Sequence, residues 1–274
     1  MHKFISYNGE ICTSAEAKIP ALSSAALYGW GIFTSLGIYD SQPFLWKKHW
    51  QRLVEYAMAV GIDIDEISER EVYEDLLRVI SANKIKDARA RITCFDNAAG
   101  FWNCAATDKT NVLIATADFR SMPERFTLTA SPFAINSASP LARIKSCNYL
   151  ENLLAWERAK NTGFDEAVRL NERGEVASVC VANIFWVTKG KLYTPSLQTG
   201  ALEGTTRAFV LEQAALNGIE FFEIECGIDD LLRADECFLT SAGIGIRNVA
   251  AIDGTRYESS EMTKVLTGVL EFQV

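Results

Sequence analysis

The sequence predicts a two-domain chain of α+β or α/β type, and three observations carry that expectation. Short β-rich runs alternate with helical stretches along the whole length. The hydrophobic pattern weakens at one place, residues 120–124, which separates an N-terminal part (1–119) from a C-terminal part (125–274). The 274 residues, 49% hydrophobic and 23% charged, are enough for two modest cores.

In chain order, Phe4-Ile5-Ser6-Tyr7 reads as a strand ending in an Asn8-Gly9 turn. Ile32 to Tyr39 is a β-rich run, and Asp40-Ser41-Gln42-Pro43 turns it into Phe44-Leu45-Trp46. Helical spacing follows from His49 to Val60, with Leu53, Tyr56, Ala57 and Val60 on one face and Gly61 beyond the end. A second helix, Glu71 to Asn83, carries Val72, Leu76, Val79 and Ile80 on one face. Strand character returns at Arg89–Phe95 and Asn111–Thr116. Beyond the linker a helix is expected over Asn148–Asn161, with Leu150, Leu153, Leu154 and Trp156 inside, followed by a strand at Glu166–Leu170. A hairpin pairs Asn183–Thr188 with Lys191–Pro195 across Lys189-Gly190. A helix from Thr206 to Asn217 stops at Gly218, and a strand covers Glu236–Thr240. No repeat, low-complexity tract or G-x-G-x-x-G opening a βαβ unit occurs, which counts against a dinucleotide-binding domain.

Composition narrows the function. A net charge of −8, from 27 basic and 35 scattered acidic residues, gives no basic face for nucleic acid or anionic membrane, so small-molecule chemistry is expected. Seven cysteines without a C-x-x-C pair imply neither a disulfide framework nor a cysteine zinc site, and suit a reducing compartment. No secretory h-region or 18-residue apolar run is found, so a cytoplasmic location is expected. With only His2 and His49, multi-histidine metal sites drop out, and a catalytic base is more naturally lysine, tyrosine or carboxylate.

The segment Arg143-Ile144-Lys145-Ser146-Cys147-Asn148-Tyr149-Leu150 places Lys145 at the end of an extended stretch before a helix. A lysine held half-buried there loses basicity by desolvation and can form a Schiff base; a lysine in solvent does neither. Around it stands an ordered series. Lys145-Ser146-x-Asn148-Tyr149-Leu150, Asp165-Glu166-Ala167, Leu170-Asn171, Gly174-Glu175-Val176, Asn183-Ile184-Phe185 and Gly204-x-Thr206-Arg207 closely resemble the second half of the class IV aminotransferases. Tyr28-Gly29-x-Gly31-x-Phe33, Pro43-Phe44-Leu45 and His49-x-x-Arg52-Leu53 resemble that family's opening motifs, so the likeness runs from Phe4 to Val249. The family includes branched-chain and D-amino-acid transaminases and aminodeoxychorismate lyase.

The resemblance implies the two-domain D-amino-acid-aminotransferase-like fold, fold type IV among pyridoxal-phosphate enzymes, with the cofactor where the domains meet and usually a homodimer. It makes Lys145 the cofactor lysine and general acid–base, and gives Arg52 the phosphate, which suits a guanidinium fork on a helix; otherwise Arg52 is a surface helix residue. Gly204, Thr205 and Thr206 would bind the same anion at a helix N-terminus, or simply cap the helix. Ser241 and Ala242 fall at another phosphate contact, where Ala242 offers only backbone N–H. Tyr149 would lie near the cofactor, and Tyr28, Trp30 and Thr34 near the substrate, although a buried tyrosine or tryptophan is as readily core. His49 orients or caps the helix that carries Arg52.

Three positions depart from the family pattern. Val176 to Phe185 places Ser178 where a glutamate usually meets the pyridine nitrogen. A hydroxyl there leaves that nitrogen neutral or nearly so and weakens the ring as an electron sink. Thr34 replaces another glutamate and resembles the lyase branch, and Gly37 stands where many transaminases carry arginine. The reading is thus a pyridoxal-phosphate aminotransferase acting on a small amino acid and a 2-oxo acid. The alternatives are an aminodeoxychorismate-lyase-like elimination releasing pyruvate, and a non-catalytic cofactor-binding relative.

Overall fold

The computed structural model describes residues 1–96, 110–258 and 261–272; Trp102 and Cys104 lie outside them. The chain divides into two compact units, Met1–Arg120 with Lys145–Asn148, and Ser121–Ile144 with Tyr149–Val274.

The first unit holds β1 (Phe4–Tyr7), β2 (Glu10–Thr13), α1 (Ser24–Tyr28), β3 (Gly31–Tyr39), β4 (Gln42–Pro43), α2 (Trp46–Ala59), α3 (Glu69–Ala82), β5 (Ala88–Phe95) and β6 (Asn111–Ala117). Its sheet runs β2-β1-β6-β5-β3-β4 with antiparallel neighbours throughout. Two tight turns set its hairpins. Asn8 and Gly9 (φ 50° and 83°) join β1 to β2, and Asp40 and Ser41 (φ 46° and 65°) join β3 to β4. Paired positive φ values give the twist that two-residue hairpins need. Helix α3 starts at Ser68, whose hydroxyl accepts the Glu71 N–H at 3.2 Å while donating to the Glu71 carboxylate at 2.8 Å. It buries the expected Val72, Leu76, Val79 and Ile80. On α2 the expected Leu53, Tyr56 and Ala57 are buried, but so are His49 and Arg52. Polar groups on the inward face of a helix require partners there.

The second unit holds β7 (Arg125–Ala130), α4 (Leu150–Asn161), β8 (Glu166–Leu170), β9 (Val176–Val179), β10 (Asn183–Thr188), β11 (Lys191–Pro195), α5 (Thr205–Leu216), β12 (Phe221–Ile224), α6 (Ile228–Leu232), β13 (Glu236–Ser241), β14 (Gly245–Ile252), β15 (Thr255–Arg256) and α7 (Glu261–Phe272). Its sheet runs β12-β11-β10-β13-β14-β7-β8-β9, with β15 paired to β14. The β11–β12, β14–β7 and β7–β8 pairs are parallel, so this unit is mixed where the first is antiparallel. The core gathers Leu128, Val168, Val179, Ile184, Trp186, Leu239 and Val249.

One packing expectation fails. Leu150, Leu153 and Leu154 are 67%, 44% and 53% exposed, and Trp156 is half-buried with its Nε1 donating to Asp165 O at 3.1 Å. Helix α4 buries Ala155 and Ala159 instead, against Ala167 and Cys180. Small residues on that face allow close approach to the sheet, and the leucines fall on the other side of the helix.

Candidate active site

In the first unit, backbone pairing fixes Lys145. Its carbonyl accepts the Phe33 N–H at 2.9 Å, the Gly31 carbonyl accepts the Cys147 N–H at 2.7 Å, and Ile32 and Ser146 form an antiparallel bridge. The lysine segment therefore lies along the start of β3, and Gly31 permits it. A Cβ at Gly31 would stand 2.9 Å from Phe95 Cβ and 3.0 Å from Cys147 Sγ. The ammonium sits 4.6 Å from the Phe33 ring centroid, and the Arg91 guanidinium lies over the same ring at 3.5 Å. Burial, then the neighbouring charges of Arg52 and Arg91, lower the Lys145 pKa from its ordinary 10.5 to about 7. A large neutral fraction at neutral pH is what a nucleophilic amine requires.

The buried polar pair on α2 meets β3. Arg52 Nη2 donates to Thr34 Oγ1 at 2.8 Å, and His49 Nδ1 lies 2.7 Å from the same oxygen. Burial first, then Arg52 and Lys145, hold His49 well below its usual pKa, so the ring is neutral and orients rather than carries charge. Thus Lys145, Arg52, Thr34 and His49 form one cluster. Trp30 and Gly31 line a cavity of about 310 Å³ with Phe95, Arg91, Thr93 and Cys147, and Trp30 Nε1 donates to Val60 O at 3.0 Å. Tyr28 ends the short α1 and is 40% exposed. Arg91, absent from the sequence reading, is the cation of this cavity. Its signal was an arginine between buried Ala90 and Ile92 in β5. At Gly37 a Cβ would meet the Tyr39 ring at 2.5 Å, so an arginine does not fit while Tyr39 stays where it is.

The second unit carries another polar set. Gly204 precedes α5 in extended conformation, without a side-chain cap, so Thr205 and Thr206 open the first turn with the helix dipole behind them. A Cβ on Gly204 would run into the Asn183 amide oxygen, so this approach needs glycine. Asn183 pairs across the sheet with Thr240, a buried residue whose hydroxyl has no hydrogen-bond partner among the described residues. Ser241 and Ala242 follow it and are partly buried. Tyr149 caps α4 and its hydroxyl reaches Cys180 O at 3.5 Å. Ser178 is buried on β9. Below these the Glu166 carboxylate accepts the N–H groups of Ala167 (3.1 Å), Cys180 (3.0 Å) and Val181 (3.2 Å), which shapes the turn after β9. Burial nevertheless raises its pKa to about 7.

These donor sets suit pyridoxal phosphate. In the first unit a buried guanidinium suits a phosphate and a weakly basic lysine suits an aldehyde, and in the second unit, taken by itself, an uncapped helix N-terminus suits an anion.

Comparison with known proteins agrees. Residues 31–252 match the family model for amino-transferase class IV. Aminodeoxychorismate lyase of Bacillus subtilis (strain 168) is 31% identical over 268 residues, 94% of this chain and 90% of the lyase. The branched-chain aminotransferase of Thermoproteus uzoniensis, solved with norvaline, superposes with a TM-score of 0.93 at 25% identity, covering 99% of this chain and 94% of that one. The T.th. branched-chain aminotransferase in complex with N-(5'-phosphopyridoxyl)-L-glutamate gives 0.91 at 26% identity, covering 99% and 94%. With collinear motifs, a mixed α/β fold and a matching family model over most of its length, the chain belongs to the class IV aminotransferase family.

Proposed function

We propose that the chain binds pyridoxal 5'-phosphate through Lys145 and transfers an amino group between a small amino acid and a 2-oxo acid. One observation carries this reading: the Lys145 amine, pinned by backbone bonds to β3 and flanked by Arg52 and Arg91, has its pKa brought to about 7. Bound cofactor supplies a carbonyl that condenses with amines and a ring that accepts electrons from the bond being broken. The side chains do the rest. Lys145 would hold the cofactor and, as a free amine, would take a proton from the substrate Cα and give it up at the cofactor C4′; a group that titrates near 7 can both accept and return a proton. Arg52 grips the phosphate, with Thr34 and His49 fixing its fork. In the second unit, Gly204, Thr205, Thr206, Ser241 and Ala242 offer N–H and hydroxyl groups to the phosphate. Ser178 faces the ring nitrogen, and Tyr149 serves the cofactor. Trp30, Tyr28 and Thr34 shape the substrate pocket, and Arg91 draws a substrate carboxylate into an otherwise apolar cavity.

The second reading is elimination with pyruvate release, favoured by Thr34 and Ser178 in place of two family glutamates. Incubating the holoenzyme with a panel of amino donors decides between them. Conversion to the pyridoxamine form marks transamination; pyruvate release without that conversion marks elimination.

The same proposal includes a homodimer in the cytoplasm. The exposed leucines of α4 offer an apolar surface to a second copy, and the six described cysteines are all free, as a reducing compartment keeps them. No helix among the described residues is long and apolar enough to cross a membrane. Sedimentation at micromolar concentration tests the dimer.

A further inference from the structure

A hydroxyl at position 178 does not by itself choose a protonation state for a ring nitrogen placed against it. It donates to a bare nitrogen as readily as it accepts from a protonated one. The choice falls to the charges around it. Antiparallel pairing of β8 and β9 sets Arg169 directly opposite Ser178. Directly paired residues leave the sheet on one face, with Cβ atoms about 4.5–5.5 Å apart. The neighbouring pair, Val168 and Val179, enters the main core. Arg169 and Ser178 therefore project from the opposite face, where Ala167 packs against α4.

Arg169 is fully buried. Its Nε donates to Phe133 O at 3.1 Å, its Nη1 to Asn152 Oδ1 at 3.0 Å and its Nη2 to the Glu151 carboxylate. The Glu151 side chain is 61% exposed and the guanidinium is fully buried, so solvent weakens the carboxylate's field more than that of the guanidinium and the ion pair offsets only part of the Arg169 charge. The other carboxyl group nearby, Glu166, is tied to three backbone N–H groups. The Ser178 hydroxyl makes no hydrogen bond to another described residue, which leaves its proton available.

We propose that Arg169 acts as a positioning residue that keeps the cofactor's pyridine nitrogen unprotonated, with the Ser178 hydroxyl donating to it. This rests on the function proposed above. A fixed buried cation disfavours protonation of a neighbouring base, the reverse of what the family glutamate does. Ser178 stands where the family glutamate would supply an anion, and Arg169 adds a cation on the same face, so both act in the same direction.

The test is the 15N chemical shift of holoenzyme reconstituted with 15N-labelled pyridoxal phosphate, titrated in pH. The expected wild-type signal is that of a bare nitrogen across the neutral range. Arg169→Met should move protonation upward by about a unit or more, and Arg169→Lys should restore the wild-type value. If Arg169→Met does not fold, Glu151→Gln, altered at an exposed group, should move it downward. A protonated nitrogen in the wild type overturns the proposal, and so does an unchanged titration in either charge variant. Mass spectrometry after borohydride reduction separates the two ideas. No label on Lys145 sinks the cofactor reading, whereas a labelled enzyme with a protonated nitrogen sinks only the role of Arg169.

Discussion

Arg52 Nη2 donates to Thr34 Oγ1 over 2.8 Å, joining the helix that carries the phosphate-binding candidate to the strand along which Lys145 lies. The same oxygen lies 2.7 Å from His49 Nδ1, so one buried hydroxyl serves two polar groups. Thr34→Val keeps the shape and removes both contacts. Stability should fall by about 1–3 kcal/mol, the cost of leaving buried polar groups short of a partner, and Thr34→Ser should recover most of it. Urea denaturation of the three proteins measures this.

Arg52→Ala removes a charge-assisted contact to a dianion, worth about 1.5–3 kcal/mol, so the cofactor Kd should rise about ten- to hundredfold. Fluorescence titration of the apo-protein reads the change. An unaltered Kd in a folded variant would assign Arg52 to packing alone.

Lys145 gives a pH prediction whose sign is fixed by its causes. Burial and two cations lower its pKa to about 7, so the reactive neutral amine accumulates as pH rises through 7. The rate at which apo-protein captures pyridoxal phosphate should climb with a midpoint near 7. Arg91→Met deletes one of the cations and should move that midpoint upward. A midpoint that stays put would show that Arg91 does not act on the lysine. Borohydride reduction and peptide mapping identify the residue captured.

Legibility of the sequence varied with the physics of each element. Helix α3 and the β10–β11 hairpin were plain because an apolar face at helical spacing and a Lys189-Gly190 turn mark them locally, although the Ser68 cap starts α3 at Glu69, two residues before Glu71. Helix α2 begins at Trp46 rather than His49 because Leu45 precedes it in a left-handed conformation with no capping side chain, so no start signal exists. In α4 the leucines suggested the wrong buried face, since alanines make the contact. Local patterns do not reveal what tertiary neighbours demand. The ordered motifs pointed to Lys145, Arg52 and Thr34, which the fold brings into one cluster. Arg91 and Arg169 stayed hidden, because a charge inside a strand acquires meaning only from its partner across the sheet.

Glu166 allows a stability test of the turn that follows β9. Its pKa is raised from the ordinary 4.5 to about 7, so the folded protein holds a proton that the unfolded chain has already lost between those values. Its contribution is fully present below about pH 4.5 and is lost as pH rises through 7, a change of about 3 kcal/mol from a shift of this size. Glu166→Gln cannot titrate, so that decline should vanish from the variant. Gln also turns an amide group toward one of the three N–H donors. Where its NH2 faces Val181 N–H, the variant should lose about 1–3 kcal/mol at low pH as well. Other titrating groups contribute equally to both proteins, so the difference between the two stability curves isolates Glu166. Guanidinium unfolding from pH 4 to 8 supplies it, and a difference that does not change across that window would show that the Glu166 carboxylate ionises normally on its three backbone donors.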